Sequence, residues 1–360
     1  MIVTVLRIVK YIYLFKNGFM AIKKITKEDA KESITEKRKT SQDGQESKIR
    51  PSRLDDFAGQ GKLKKNLKIF LQSAKQRKEP IEHVLFSGPP GLGKTTLSRI
   101  IALEMGGDFK ISSGPALEKA GDLAAILTNV KEGDVFFIDE IHRLRSNVEE
   151  ILYTAMEDYC LDLVIGKGPG ARTMRIKIPK FTLVGATTRS SLLSSPLRDR
   201  FGHHLEMEYY FPEELVEIIK RTARILEIKI NDESAMTIAL SSRRTPRIAN
   251  RLLRRVRDFA IVKGENSISK ELAEKSLHSL GVDKKGLDNA DRKFLKSLIE
   301  KFSGGPVGLS TLAASSSLEI GTVEEIIEPY LLQLGFLERT PRGRKATTHA
   351  FRHLGLEMVE

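Results

Sequence analysis

Short apolar runs alternate with amphipathic stretches between residues 49 and 210. The segment 66–76 has the apolar spacing of a helix. The runs that suit buried strands are 84–87, 109–112, 135–138 and 182–186. Strands separated by helices form a parallel sheet that is covered on both faces. The pattern therefore predicts a large α/β domain over residues 49–210.

Two further stretches in this domain interrupt the alternation. Residues 161–165 and 174–178 both have strand-like patterning, and a Gly-rich turn separates them. This predicts a β-hairpin that projects from the domain within residues 161–178. Its apolar positions suit either a surface that docks a partner or a hairpin folded back on its own sheet. We favour docking.

A helical segment follows over residues 211–282. Residues 246–263 carry Ile248, Leu252 and Val256 on one apolar face, which predicts an amphipathic helix. Residues 243–257 hold seven arginines and no acid. Such a run is typical of a solvated face, although an arginine at its start suits a nucleotide site.

The last part, residues 283–360, has a different pattern. Three helices are predicted over 291–302, 310–315 and 322–334, followed by short strands at 335–338 and 346–348. This order is typical of a winged helix. Arg339, Arg342, Arg344, Lys345 and Arg352 are the charged residues from 339 to 352. Positive side chains on a protruding loop suit contacts with nucleic-acid phosphates. The alternative is a winged helix that contacts protein.

The N-terminal residues 1–48 lack the pattern of a folded domain. Arg7, Lys10 and Lys16 interrupt the apolar residues 2–19, so this stretch is a poor membrane span and a poor signal peptide. Residues 20–47 are rich in Lys, Glu and Ser, which favours disorder. We expect residues 1–48 to be a disordered or non-native extension.

Composition narrows the class of protein. The chain has 360 residues and a formal net charge of +13. This charge favours a protein that binds polyanions, and the alternative is a basic protein that is merely soluble. Cys160 is the single cysteine, so an internal disulfide and a cysteine zinc cluster are both excluded. We expect a reducing cytoplasm, no membrane association, and a core-facing Cys160.

Residues 88–95 match the phosphate-loop pattern G-x-x-x-x-G-K-[ST] without a mismatch. An apolar strand precedes this loop and an amphipathic helix follows it, as phosphate binding requires. Lys94 is predicted to reach the β- and γ-phosphates, and Thr95 to bind Mg²⁺ through its hydroxyl. The alternative is a glycine-rich turn that binds nothing.

Two adjacent acids end the strand at 135–138. Asp139 is predicted to hold Mg²⁺ or its waters, and Glu140 to take a proton from an attacking water. The alternative is a pair of surface acids at a strand end.

Hydroxyl and guanidinium groups follow the next strand. Thr187 and Thr188 close it, and a hydroxyl there suits either a γ-phosphate sensor or a strand-end cap.

Arg198 and Arg200 lie on a predicted short helix. A guanidinium supplied by a neighbouring subunit stabilises the charge of phosphoryl transfer, and the alternative is a surface ion pair.

These segments together resemble the AAA+ ATPases, and among them the RuvB family of Holliday-junction branch-migration motors. The similar segments are 88–95, 135–142, 186–189, 195–202, 245–260 and 336–348. The resemblance covers residues 49–356 and implies an α/β AAA+ core, a helical lid and a C-terminal winged helix.

The resemblance also implies roles for individual residues. Arg200 would be an arginine finger, Thr188 the first sensor and Arg247 the second. Arg339, Arg342 and Arg344 would meet DNA. The further residues implied to touch the nucleotide are Ile49, Arg50, Gly91, Gly93, Thr96, Glu157, Asp158, Tyr159 and Tyr210.

The resemblance implies partners and cofactors as well. Family members use ATP and Mg²⁺, form hexameric rings around duplex DNA, and serve recombination, repair and the SOS response. The 161–178 hairpin would dock a RuvA-like protein, and a RuvC-like resolvase would cut the junction. The function expected is an ATP-driven DNA translocase. An ATP-gated DNA-binding switch with slow hydrolysis is the alternative. A clamp-loader-like ATPase rarely ends in a winged helix, and a transcription factor leaves the phosphate loop unexplained.

Overall fold

Five parallel strands form the central sheet of the computed structural model, which describes residues 49–165 and 172–356. In chain order, the helices and strands up to residue 206 are α1 Gly61–Arg77, β1 Val84–Ser87, α2 Lys94–Met105, β2 Phe109–Ser113, α3 Ala120–Leu127, β3 Val135–Asp139, α4 Ser146–Glu157, β4 Cys160–Ile165, β5 Arg172–Lys177, β6 Thr182–Thr187, α5 Ser195–Arg198 and β7 His203–Glu206. The prediction for residues 1–48 lies outside the described residues.

The sheet has the order β2-β3-β6-β1-β7, and every neighbouring pair is parallel. Ser87 of β1 is the register partner of Thr187 of β6, and Ser113 of β2 is the partner of Asp139. The carboxyl ends of these strands therefore meet at one edge, where ligands of such sheets bind. The predicted strands are confirmed to within a residue at each end. The edge strand β7 is an addition, since its two histidines hid it from an apolar pattern.

Alternating side chains of the strands supply two cores. Phe86, Phe137 and Val184 pack on one face with α1 and α2, and Phe136 and Leu183 pack on the other with α3 and α4. β4 and β5 pair antiparallel as the predicted hairpin, and Leu161 and Ile178 at its base are buried. Cys160 is buried, as predicted.

Helices dominate the chain after residue 211. The elements are α6 Pro212–Ile225, β8 Lys229–Ile230, α7 Asp232–Leu240, α8 Pro246–Val262, β9 Ser267–Ile268 and α9 Lys270–Ser279. Pro212 and Pro246 each stand in the first turn, where a missing N–H costs nothing. The apolar face of α8 joins the core on the α1–α2 side of the sheet.

A winged helix with a core of its own ends the described chain. Its elements are α10 Asn289–Phe302, α11 Leu309–Ser316, α12 Ile320–Thr322, a π-helical turn Val323–Ile327, α13 Glu328–Gln333, β10 Leu337–Thr340, β11 Gly343–Ala346 and α14 Thr348–Leu354. Asp288 caps α10 by accepting hydrogen bonds from the amides of Ala290 and Asp291. In residues 49–165 and 172–356, no helix is both long and apolar enough to cross a bilayer.

Candidate active site and nucleic-acid interface

The phosphate loop needs its glycines for two reasons. Gly91 and Gly93 have φ values of +84° and +109°, which side-chain-bearing residues rarely adopt. A Cβ on Gly91 would also lie 3.1 Å from the Cβ of Arg247, and one on Gly93 would lie 3.0 Å from the ring of Phe57. The loop can therefore keep its curvature only with glycine, and α2 begins directly at its end with Lys94. A helix N-terminus placed after such a loop favours an anion.

Lys94 lies inside this loop. Its ammonium donates to the carbonyl oxygens of Gly88 and Pro89 at 2.8 and 2.9 Å. Burial lowers the pKa of Lys94 to about 8; Asp139 opposes that shift and Arg247 adds to it. Phosphate oxygens would offer this ammonium stronger acceptors than neutral carbonyls do. The cradle and its charge thus fit a triphosphate, and Thr95, which follows Lys94, is half-buried.

Asp139 and Glu140 stand at the same edge of the sheet, at the end of β3. The amide of Glu140 donates to Oδ1 of Asp139 at 3.0 Å, and the Glu140 carboxylate accepts from Arg143 at 2.8 Å. Glu140 has a φ of +48°, which costs about 1–2 kcal/mol in a residue with a side chain. This turn gives the two neighbouring carboxylates separate surroundings. The sequence had not indicated Arg143 as a partner of Glu140.

The buried hydroxyl at the end of β6 belongs to Thr187. It lies 2.9 Å from Nδ1 of His142 and accepts a hydrogen bond from the amide of Arg189. Burial lowers the pKa of His142, so the neutral ring is favoured beside this hydroxyl. Thr188, the predicted sensor, is exposed one residue later. The sensor role of Thr188 stays a prediction, and Thr187 is the hydroxyl within the polar network.

The backbone of Arg247 in the helical segment and the side chain of Tyr210 just before that segment both contact the phosphate loop. The amide of Arg247 donates to the carbonyl of Gly91 at 3.3 Å, and Tyr210 donates its buried hydroxyl to the carbonyl of Leu92 at 3.0 Å. Tyr210 is in turn held by Arg244, since each accepts a hydrogen bond from the other. Arg247 is exposed beside the loop.

A second group of predicted nucleotide contacts lies at the opposite edge of the sheet. The Tyr159 ring packs near His83 and Phe181, which precede β1 and β6. Nε of Arg200 lies 3.1 Å from the Glu157 carboxylate, and its guanidinium lies over the Tyr153 ring. Lys94 follows the carboxyl end of β1, so one chain does not bring these two groups together.

Asp158 and Arg50 are exposed, and Ile49 is buried. Thr96 is half-buried in the first turn of α2.

Arg243 departs from the predicted solvated arginine face. Its side chain is buried; it donates to the carbonyl of Gly286 at 3.0 Å and ion-pairs with Asp288 and Asp291. Burial raises the pKa of Asp291 to about 7, although Arg243 acts to lower it. The expectation was wrong for this residue because its acidic partners lie more than forty residues away in the sequence.

The wing also differs from its predicted form. Arg339 and Arg344 lie on β10 and β11 as register partners, so the protruding turn is only Pro341 and Arg342. Both strand arginines hydrogen-bond to the buried carboxylate of Glu328. Arg342 is exposed at the tip. Glu328 lies on the preceding helix, so the local sequence of the wing had not indicated it as a partner.

Three family models match consecutive parts of the chain. They describe the Holliday junction DNA helicase RuvB P-loop domain over residues 49–207, the RuvB AAA lid domain over 210–283, and the RuvB C-terminal winged helix domain over 284–355. The chain belongs to the RuvB family. The predicted α/β AAA+ core with a lid and a winged helix is therefore confirmed.

Curated relatives and solved structures agree with this membership. A Holliday junction branch migration complex subunit RuvB from Dehalococcoides mccartyi is 59% identical, over 86% of this chain and 89% of the relative. One from Kosmotoga olearia is 58% identical, over 86% and 90%. The structure of a Thermotoga maritima RuvB Holliday junction branch migration motor has 52% identity and a TM-score of 0.79, and covers 86% of this chain and 99% of its own.

Proposed function

We propose that this chain is an ATP-driven motor that moves duplex DNA and promotes branch migration of Holliday junctions. The observation that carries the proposal is the contact between Arg247 and Gly91, which attaches the lid to the phosphate loop in a chain that also has an arginine-bearing wing. Its RuvB relatives support the motor over the ATP-gated switch. We further propose domains at 49–210, 211–282 and 283–360.

The cofactors we propose are ATP and Mg²⁺. When bound, they supply the phosphoryl group for hydrolysis and a cation that neutralises its charge. Lys94 with the amides around Gly91 and Gly93 would hold phosphate. Tyr210 would stabilise that loop through its hydrogen bond to Leu92. Thr95 and Asp139 would hold the metal, and Thr96 extends the cradle. Glu140 would accept the proton of the attacking water.

Residues at the opposite edge of the sheet would act on a neighbouring copy. Arg200 would stabilise charge on the neighbour's phosphate. Glu157, Asp158 and Tyr159 would contact the same nucleotide. This arrangement requires a ring, for which we propose a hexamer. Thr188 and Arg247 would read the state of the chain's own nucleotide, and Ile49 and Arg50 would contact its base.

The partners proposed are duplex DNA, a RuvA-like protein and a RuvC-like resolvase, in the cytoplasm. Arg339, Arg342 and Arg344 would form the DNA-binding surface of the wing. The 161–178 hairpin would dock the RuvA-like protein; Met174, 45% exposed, is an apolar residue available for that contact. The hairpin base is folded onto the core, as the alternative interpretation predicted, and docking by the rest of the hairpin stays a proposal.

The test measures ATP hydrolysis and strand displacement together, with and without a synthetic four-way junction and a RuvA-like protein. A motor hydrolyses ATP faster on the junction and displaces its arms continuously. Slow hydrolysis with tight binding and no displacement would instead support the ATP-gated switch. If the protein neither binds nucleotide nor assembles on duplex DNA, both the motor and the ATP-gated switch are contradicted.

A further inference from the structure

Glu328 is a fully buried acid beneath the wing. It opens α13 directly after the π-helical turn, and its side chain has 0% exposure. Oε1 accepts from Nε of Arg339 at 2.7 Å and from Nε of Arg344 at 2.9 Å, and Oε2 accepts from Nη2 of Arg344 at 3.1 Å. Burial acts to raise the pKa of Glu328, but the hydrogen bonds from both arginines outweigh it and hold the pKa below its ordinary value.

The two arginines use this carboxylate differently. Arg344 gives it two nitrogens and is 19% exposed, whereas Arg339 gives only Nε and is 56% exposed. The backbone of Arg344 also exchanges two hydrogen bonds with Val307. Among the described residues, the terminal nitrogens of Arg339 have no hydrogen-bond partner. Arg344 is therefore fixed within the fold, and Arg339 keeps four N–H donors for a ligand.

We propose that Glu328 is a positioning residue for DNA binding, which with Arg344 holds Arg339 in the orientation that contacts a phosphate. The inference rests on the proposed role of the wing. An arginine fixed through Nε can offer both terminal nitrogens to phosphate oxygens, and it loses less conformational freedom on binding than a free one. It also divides the predicted DNA residues: Arg339 contacts phosphate, and Arg344 supports it.

Two accounts of Glu328 predict opposite changes in DNA affinity when its charge is removed: one in which it positions Arg339, and one in which it only adds negative charge. Removing a negative charge from a DNA-binding surface strengthens attraction to the phosphates. Removing a positioning group weakens binding instead, because Arg339 must then be ordered when DNA binds. The wing supplies a matched control in Glu338, which neighbours Arg339 on β10 and is exposed.

The experiment measures the affinity of the full chain for duplex DNA by fluorescence anisotropy over a range of salt concentrations. We expect Glu328→Gln to weaken binding by roughly fivefold. Glu338→Gln, which removes the same charge, should not weaken it. Glu328→Asp keeps the charge but shortens the side chain, and should also weaken binding. Equal or tighter binding by both Glu328 variants would overturn the proposal.

Arg339→Gln separates this proposal from the proposed function. It should weaken binding and reduce the slope of log K against log salt by about 0.9, the loss of one phosphate contact. If affinity and slope are both unchanged, Arg339 does not contact DNA and its proposed role in the wing fails. If Arg339→Gln weakens binding while the Glu328 variants do not, only the positioning role fails. Thermal unfolding of each variant shows that it is folded at the assay temperature.

Discussion

Arg189 and Glu325 join the central sheet to the winged helix, with Nη2 of Arg189 lying 3.1 Å from the Glu325 carboxylate. Glu324, the residue before it, lies 3.4 Å from the same nitrogen. The amide of Arg189 donates to Thr187, whose hydroxyl lies beside His142 near the end of β3. A continuous polar path therefore connects the nucleotide edge of the sheet with the π-helical turn of the winged helix.

Reversing the charge of Glu325 should uncouple hydrolysis from DNA. The pair is partly exposed and contributes at most about 1 kcal/mol, so Glu325→Lys should unfold at nearly the wild-type temperature. We expect basal ATP hydrolysis to persist and its stimulation by DNA to fall. Arg189→Glu in the same chain should restore part of the stimulation. Glu319→Lys, at the exposed residue just before α12, is the control; an equal loss there would contradict a specific role for the pair.

Nucleotide affinity should depend on pH through Lys94. In the free protein its pKa is about 8, and a bound phosphate favours the protonated form. Affinity is therefore fully present well below pH 8 and is lost as the pH rises through that value, by about tenfold per pH unit above it. Equilibrium binding of a fluorescent ATP analogue from pH 7 to 9.5 measures this. Lys94→Arg stays charged and should give a flat profile; the same slope in that variant would exclude Lys94 as its cause.

Glu140→Gln should separate nucleotide binding from hydrolysis. The amide keeps the shape of the side chain but cannot accept a proton, so hydrolysis should fall at least about a hundredfold. Binding and ring assembly should persist. Steady-state phosphate release and sedimentation measure the two properties. Glu150→Gln removes an exposed acid from α4 and should hydrolyse ATP normally. Wild-type turnover by Glu140→Gln would refute the assigned role.

Arg200→Ala should impair neighbouring subunits. Because Arg200 lies at the sheet edge opposite Lys94, we expect it to act on ATP held by another copy. Mixing this variant with wild-type chains should reduce hydrolysis more steeply than the wild-type fraction alone predicts. Arg198→Ala, at the end of α5 and 3.7 Å from the carboxylate of Asp199, should reduce it in proportion or less. A proportional fall for Arg200→Ala would indicate action within one chain.

Arg243→Met should strongly destabilise the protein. It leaves Asp291 buried without its cation, which typically costs about 3–5 kcal/mol. The pKa of Asp291 in the folded protein, already raised by burial to about 7, should rise further without Arg243. A folded-state pKa above the unfolded one favours folding at low pH, so the loss should grow as pH rises through 7. Urea unfolding at pH 5 and pH 8 measures it. A loss below 1 kcal/mol at both would contradict this account.

The sequence predicted the elements with strong local patterns. The phosphate loop, the strand before it and the acids after β3 are contiguous in the chain, so their apolar and glycine spacing was sufficient. Partnerships between distant residues left no local signal. Arg243 has the same local sequence pattern as its solvated neighbours, and only the fold brings Asp291 to it. Arg339 and Arg344 were predicted to lie on a loop, because their partner Glu328 is on the preceding helix and leaves no mark in the local sequence. Glycine-free turns such as Glu140 are equally hidden, since tertiary packing imposes them.

The burial of Arg243 has a mechanical consequence. Because its guanidinium ties residue 243 to Gly286, Asp288 and Asp291, we expect the lid and the winged helix to resist bending against each other. The two domains would then move as one unit, with its near end in contact with Gly91. Any rotation of that end would be delivered to the wing as displacement, and the exposed contact at Arg189 would have to open for the stroke to begin.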